Sequence, residues 1–210
     1  MLPSQFPPGP LRIVALGAHC DDIVIAAGGT LHRLVVEHPG SSVQWIVGSG
    51  DEIRQAEERE AAAAFAAMAT VDLHLLSFEE NLFPTQFDLI KREIAKHVAK
   101  PADLVLAPRL SDRHQDHRII AEIAHQTWRD HPIWMYEIAK WEGDLSTPNV
   151  YVRLSAEELA RKVELATRCY RSQLDKTWFD DEVFRGLARL RGVECNERYA
   201  EGFHVLKQRF

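Results

Sequence analysis

Apolar positions recur along this chain in two rhythms: short unbroken runs, and longer stretches with helical spacing. The first run, residues 11–17, is almost wholly apolar and flanked by turn formers, which predicts a strand covered on both faces. Runs at 42–47, 71–78, 102–108 and 133–138 predict four more strands, and stretches at 22–36, 51–68, 87–98 and 118–128 predict helices between them. In the first helix Ile23, Ala26, Ala27 and Leu34 share the inner side. The adjacent Gly28 and Gly29 each cost about 1 kcal/mol in a helix interior. Such a pair implies close backbone packing or a local break, not an ordinary amphipathic helix.

Strands alternating with helices predict an α/β fold in layers around a largely parallel sheet. The last third of the chain departs from this rhythm. Ser155-Ala156-Glu157-Glu158 fits a capping box, predicting a helix from there to about 173. A second helix is expected at 181–191 and a closing strand at 203–206. With no repeat, low-complexity segment or linker, residues 1–210 read as a single domain.

Composition narrows the function classes. At 46% hydrophobic residues the chain can bury a core, which excludes a disordered protein. A net charge of -6 without a block of Lys or Arg speaks against nucleic-acid binding. Cys20, Cys169 and Cys195 are an odd number without CxxC spacing, which argues against a disulfide framework or a zinc knuckle. The Pro-rich start does not resemble a signal peptide, and no apolar run approaches the roughly 20 residues of a membrane span. The expected compartment is a reducing cytoplasm.

Two clusters carry chemistry. Ala18-His19-Cys20-Asp21-Asp22 follows the first predicted strand, and Asp112-Arg113-His114-Gln115-Asp116-His117 follows the fourth. Ligands of open α/β sheets bind outside the carboxyl ends of the strands, so a topological switch between these two strands would bring the clusters together. Imidazole and carboxylate suit zinc, which in catalytic sites takes three protein ligands and a water. His19, Asp22 and His117 could supply that triad. Asp21 would then be a free carboxylate placed as general base. His114 could donate a proton to a departing amine or, charged, stabilise an oxyanion. A plainer reading stands beside this one: isolated acid pairs and HxxH spacings are usually solvated turns, and Asp22 could simply cap its helix.

A resemblance adds to these residues. Residues 18–22 followed by Gly28-Gly29-Thr30-Leu31 resemble the AHPDD…GGTL signature of the PIG-L / LmbE-like family of zinc-dependent N-deacetylases. Residues 112–117 resemble its second motif, HPDH or HxDH, and Tyr199-Ala200-Glu201-Gly202-Phe203 is similar to its YAEAF segment. The resemblance spans nearly the whole chain in the expected order. It implies a Rossmann-like three-layer α/β sandwich and one Zn2+ per chain on His19, Asp22 and His117. It also implies a general base at Asp21 and a catalytic histidine at His114. Cys20 stands where the family often has Pro, and Ile23 where it often has Glu. Cys20 is expected to be a small buried neighbour, with zinc ligation as the alternative.

Four further readings complete the expectation. Arg54 matches the spacing of a family arginine that contacts substrate hydroxyls, against an ion pair with Glu57 or Glu58. Asp116 is expected to orient His114 or His117 through a hydrogen bond, against capping a helix that begins near Arg118. His204 is expected to be an ordinary partly buried histidine, with approach to the site as the alternative. Residues 141–145 could line a pocket. Together these predict a zinc-dependent hydrolase that removes an N-acetyl group from a small amino-sugar-containing molecule, with another divalent ion able to replace zinc. A homo-oligomer is compatible with this reading. The rivals are an amidase acting on a non-sugar or thiol-conjugate amide, and a non-catalytic sugar or nucleotide binder. Against the last stands the lack of GxGxxG after the first strand.

Overall fold

The first apolar run becomes β1 (Arg12–His19), buried from Ile13 to Ala18 as its composition requires. In the computed structural model, which describes residue 6 and residues 8–98 and 101–207, six further strands join it. These are β2 (Ser42–Ser49), β3 (Thr70–Leu75), β4 (Leu104–Pro108), β5 (Ile133–Tyr136), β6 (Val150–Leu154) and β7 (Tyr199–His204). Their order across the sheet is β3-β2-β1-β4-β5-β7-β6. Neighbours from β3 to β5 are parallel, whereas β7 runs antiparallel to both β5 and β6.

Alternate residues of the central strands enter two separate cores. Ile13 and Ala15 of β1 join Leu104 and Leu106 of β4 in one, and Val14 and Leu16 join Val105 and Ala107 in the other. The first core packs under α1 (Asp22–Glu37), α2 (Glu52–Phe65), α5 (Ala156–Cys169) and α6 (Asp181–Glu194). The second packs under α3 (Phe83–His97) and α4 (Gln115–Thr127). The result is the expected α/β three-layer sandwich, with β1 and β4 adjacent at the switch in strand order.

Several bounds differ from the sequence pattern for local reasons. Helix α3 begins at Phe83 because Pro84 is tolerated in a first turn, where its missing N–H has no helical partner. Helix α5 keeps its capping box but ends at Cys169, and Arg171–Gln173 form a separate 3₁₀ turn. Strand β6 has no counterpart in the sequence pattern. It is a half-buried edge strand whose partner β7 lies about fifty residues on. Helix α1 runs unbroken through Gly28 and Gly29. A β-carbon at Gly28 would stand 2.8 Å from the Phe65 ring, and one at Gly29 would stand 2.7 Å from Leu154, so the pair serves close packing. The Gly29 and Thr30 amides donate to Glu201, and Lys162 bridges Glu201 to the Ile25 carbonyl. Gly29 N–H and Ile25 C=O are partners in a regular helix, and here each meets one member of a buried ion pair. The Tyr199–Phe203 segment is therefore a clamp on α1.

Candidate active site

At the end of β1 the chain turns through Asp21, whose φ of 101° is rare for a residue with a side chain. Asp21 heads α1 without a capping side-chain bond. Asp22, the first residue of α1, reaches back instead. Its Oδ2 accepts the Ala18 and His19 amides at 2.9 Å each, fastening the end of β1, and its Oδ1 stands 3.4 Å from His117 Nε2. Across the switch point, His114 caps α4 through Nδ1, which accepts the Asp116 amide at 3.2 Å. Helix α4 therefore begins at Gln115, and Asp116 is not its cap.

The sheet brings the two clusters into contact. His117 Nε2 lies 3.2 Å from His19 Nδ1, which is 3.7 Å from Asp22 Oδ2. Behind these rings stand two carboxylates. Asp116 Oδ2 is 3.1 Å from His19 Nε2, and Asp112 Oδ2 is 3.1 Å from His117 Nδ1. Asp116, expected behind His114 or His117, thus backs His19, and it also accepts the Asn81 and Phe83 amides. Sequence reasoning misses Asp112, although it opens the second motif. Lys140 Nζ lies 3.0 Å from its Oδ1. A carboxylate on the rear nitrogen is the arrangement that orients metal-binding histidines.

His19, His114 and His117 also form a group whose ligand atoms lie within 4.8 Å of one another, able to hold a divalent metal ion. Tautomers separate His114 from the other two. Its Nδ1 accepts a backbone N–H, so the neutral ring carries its proton on Nε2 and presents a donor there. Ligation through Nδ1 would cost the cap, and ligation through Nε2 would need the other tautomer.

Electrostatics divides the site. Burial opposes charge on Asp22, but His117 and His19 outweigh it and hold the carboxyl far below the usual range. Burial likewise opposes charge on His117, yet Asp22 and Asp112 hold it up to about 10. Asp21 behaves in the opposite way. Burial raises its carboxyl well above the usual range, with Asp22 and Glu58 adding to the rise and Arg54 resisting it. His114 is pushed down by burial and by the other two histidines, which favours the neutral donor over a charged ring.

A cavity of about 370 Å³ opens over these groups, with Arg54, Glu80, Lys140, Trp141, Gln173 and Trp178 in its walls. Arg54 is not paired with Glu57 or Glu58. It bridges Glu80 and the Cys20 carbonyl and stands 3.8 Å from Asp21 Oδ2. Asp21 Oδ2 is buried without a hydrogen-bond partner. The Cys20 thiol donates to the Ser49 carbonyl, and His204 meets Ser146 outside the cavity lining. Two imidazoles and a carboxylate, in a cavity with a buried carboxylate oxygen that accepts no hydrogen bond, suit a divalent cation with an open position. Among the described residues no helix is long and apolar enough to cross a membrane.

Comparison with known proteins finds the same fold in solved structures. N,N'-diacetylchitobiose deacetylase from Pyrococcus horikoshii shares 22% identity, covering 93% of this chain and 83% of its own, with a TM-score of 0.71. The conserved protein TT1542 from Thermus thermophilus shares 20%, covering 95% and 96%, with a TM-score of 0.74. GalB, the 4-carboxy-2-hydroxymuconate hydratase from Pseudomonas putida, shares 17%, covering 95% and 99%, with a TM-score of 0.67. The family model PIG-L, described as GlcNAc-PI de-N-acetylase, matches residues 14–128, which contain both clusters and more than half of the chain. The chain belongs to the PIG-L family.

Proposed function

We propose that this chain is a metal-dependent hydrolase of an amide C–N bond, with His19, Asp22 and His117 as ligands of one divalent ion. The observation that carries the reading is the convergence of these three side chains in one cavity with Asp21, whose buried Oδ2 accepts no hydrogen bond. A cation bound there, zinc in the first instance, supplies Lewis-acid polarisation and lowers the pKa of a water toward about 7. Asp21 Oδ2 accepts a proton from the attacking water, a task suited to a carboxyl whose affinity for protons is raised. Asp21 then passes that proton to the departing nitrogen as the C–N bond breaks, while the neutral His114 donates a hydrogen bond from Nε2–H to the developing oxyanion, and a carboxylic acid and an amine are released. Arg54 holds the Asp21 side of the pocket and stands in its wall, where substrate hydroxyls would meet it.

The finer proposal is an N-acetylated amino sugar as substrate. It is supported by the family description and by the activity that names the Pyrococcus relative. The test pairs metal analysis of the wild type, His19→Ala and Asp22→Ala with acid release from three panels: acetylated amino sugars, non-sugar amides and thiol-conjugate amides. A stoichiometric divalent ion lost in both variants, with acetate released from the sugars, is the expected result. Release from the other panels alone replaces the substrate but keeps the chemistry. A protein that binds sugars yet takes up no metal overturns the mechanism in favour of a binding role.

A further inference from the structure

Glu58 is a carboxylate with no contact to the solvent or to the three ligands, yet it ends at the turn between them. It is 0% exposed and lies on α2, one turn after the cavity-lining Arg54. Its Oε1 accepts the Trp45 indole N–H at 2.7 Å. Its Oε2 accepts the Tyr170 hydroxyl at 2.7 Å and the Asp21 backbone N–H at 2.9 Å. These three partners are all donors, from β2, from the residue after α5, and from the turn itself.

A buried acid is an expensive way to satisfy one amide. Asp21 explains the expense. Its φ of 101° is strained for a residue with a side chain and persists only where the surroundings over-determine it. Its own side chain makes no capping bond that would hold it there. A charge-assisted bond to its N–H, roughly twice as strong as a neutral one, supplies that hold. Burial pushes the Glu58 carboxyl up to about 7 while its three donors pull it down, and above that pH it is the charged acceptor that all three donors fit.

Resting on the reading of Asp21 as general base, we infer that Glu58 is a positioning residue, with Tyr170 and Trp45 fixing it so that Asp21 presents its carboxylate to the cavity. The neighbouring Glu57 extends the device. It accepts the Ser172 amide and hydroxyl, so α2 clamps the Tyr170–Gln173 turn and the base turn together. Gln173, the last residue of that turn, stands in the cavity wall.

The test uses full-length, metal-loaded protein with the variants Glu58→Gln and Tyr170→Phe. Glu58→Gln keeps the shape of the side chain but cannot offer acceptors to all three donors. Its kcat should fall about 10- to 100-fold, the range for partners one step removed from a metal site, with KM and metal content unchanged. Tyr170→Phe should lower kcat by less, also at constant KM. The second readout needs no turnover: in an amide NMR spectrum of metal-free protein, the Asp21 N–H should shift upfield and exchange faster in Glu58→Gln. An unmoved Asp21 amide, or an unchanged kcat in Glu58→Gln, overturns the positioning role alone. Loss of metal together with a raised KM assigns Glu58 to stability only and also overturns it. A wild type inactive on every amide panel overturns the reading of the site, and the inference with it.

Discussion

Glu58 sets desolvation against hydrogen bonding, and its balance fixes a sign. The folded protein holds its proton up to about pH 7, whereas an ordinary glutamate releases it near 4.5. Stability rises with pH only where the unfolded state binds more protons; here the folded state binds more. The contribution of Glu58 is therefore fully present below about pH 4.5 and is lost as the pH climbs through 7. Thermal midpoints measured from about pH 5 to 8 should decline more steeply for the wild type than for Glu58→Gln; parallel curves would refute this. The same residue shows what a sequence can reveal. His19, Asp21, Asp22, His114 and His117 stand in two contiguous motifs beside strand ends, so residue type and spacing single them out as candidates. Glu58 meets partners 37 and 112 residues away, and in the Ala/Glu-rich stretch it is indistinguishable from a solvated helix face.

At the scale of elements, α1 shows how packing overrules propensity. Replacing Gly28 with alanine gains about 1 kcal/mol of helix propensity. The added carbon would stand 2.8 Å from Phe65, itself 1% exposed and unable to retreat, and such overpacking costs about 1–3 kcal/mol. Gly28→Ala should therefore lower the urea midpoint, and Phe65→Leu in the same chain should restore part of it. A more stable single variant would show that α1 and α2 have slack between them. Element types were legible from apolar rhythm, and the costly glycine pair correctly signalled close packing. The pattern did not show β6, because a short edge strand with one half-buried face carries few apolar positions. It also did not show that Arg171–Gln173 leave the helix, since the pull of Glu57 on Ser172 is tertiary.

For the whole molecule, the sheet order decides everything about the site. Adjacent β1 and β4 deliver their two loops to one crevice, and Lys162 with Glu201 holds the layer above it. Removing one partner of a buried ion pair typically costs about 3–5 kcal/mol, because the other charge is left uncompensated. Glu201→Ala strands Lys162, which is 6% exposed, and leaves the Gly29 and Thr30 amides without their acceptor. A loss of that size is expected in urea unfolding, partly recovered by adding Lys162→Met; a loss below about 1 kcal/mol would mean that α1 closes its own ladder. The clamp also gives the molecule a history. Glu201 lies 172 residues beyond Gly29, a distance that a ribosome adding about 5–20 residues each second covers in roughly 10–30 s. During that interval the helix that begins at Asp22 has no Glu201 to hold its middle, and until the clamp arrives α1 must stand on its own ladder and on the elements already made.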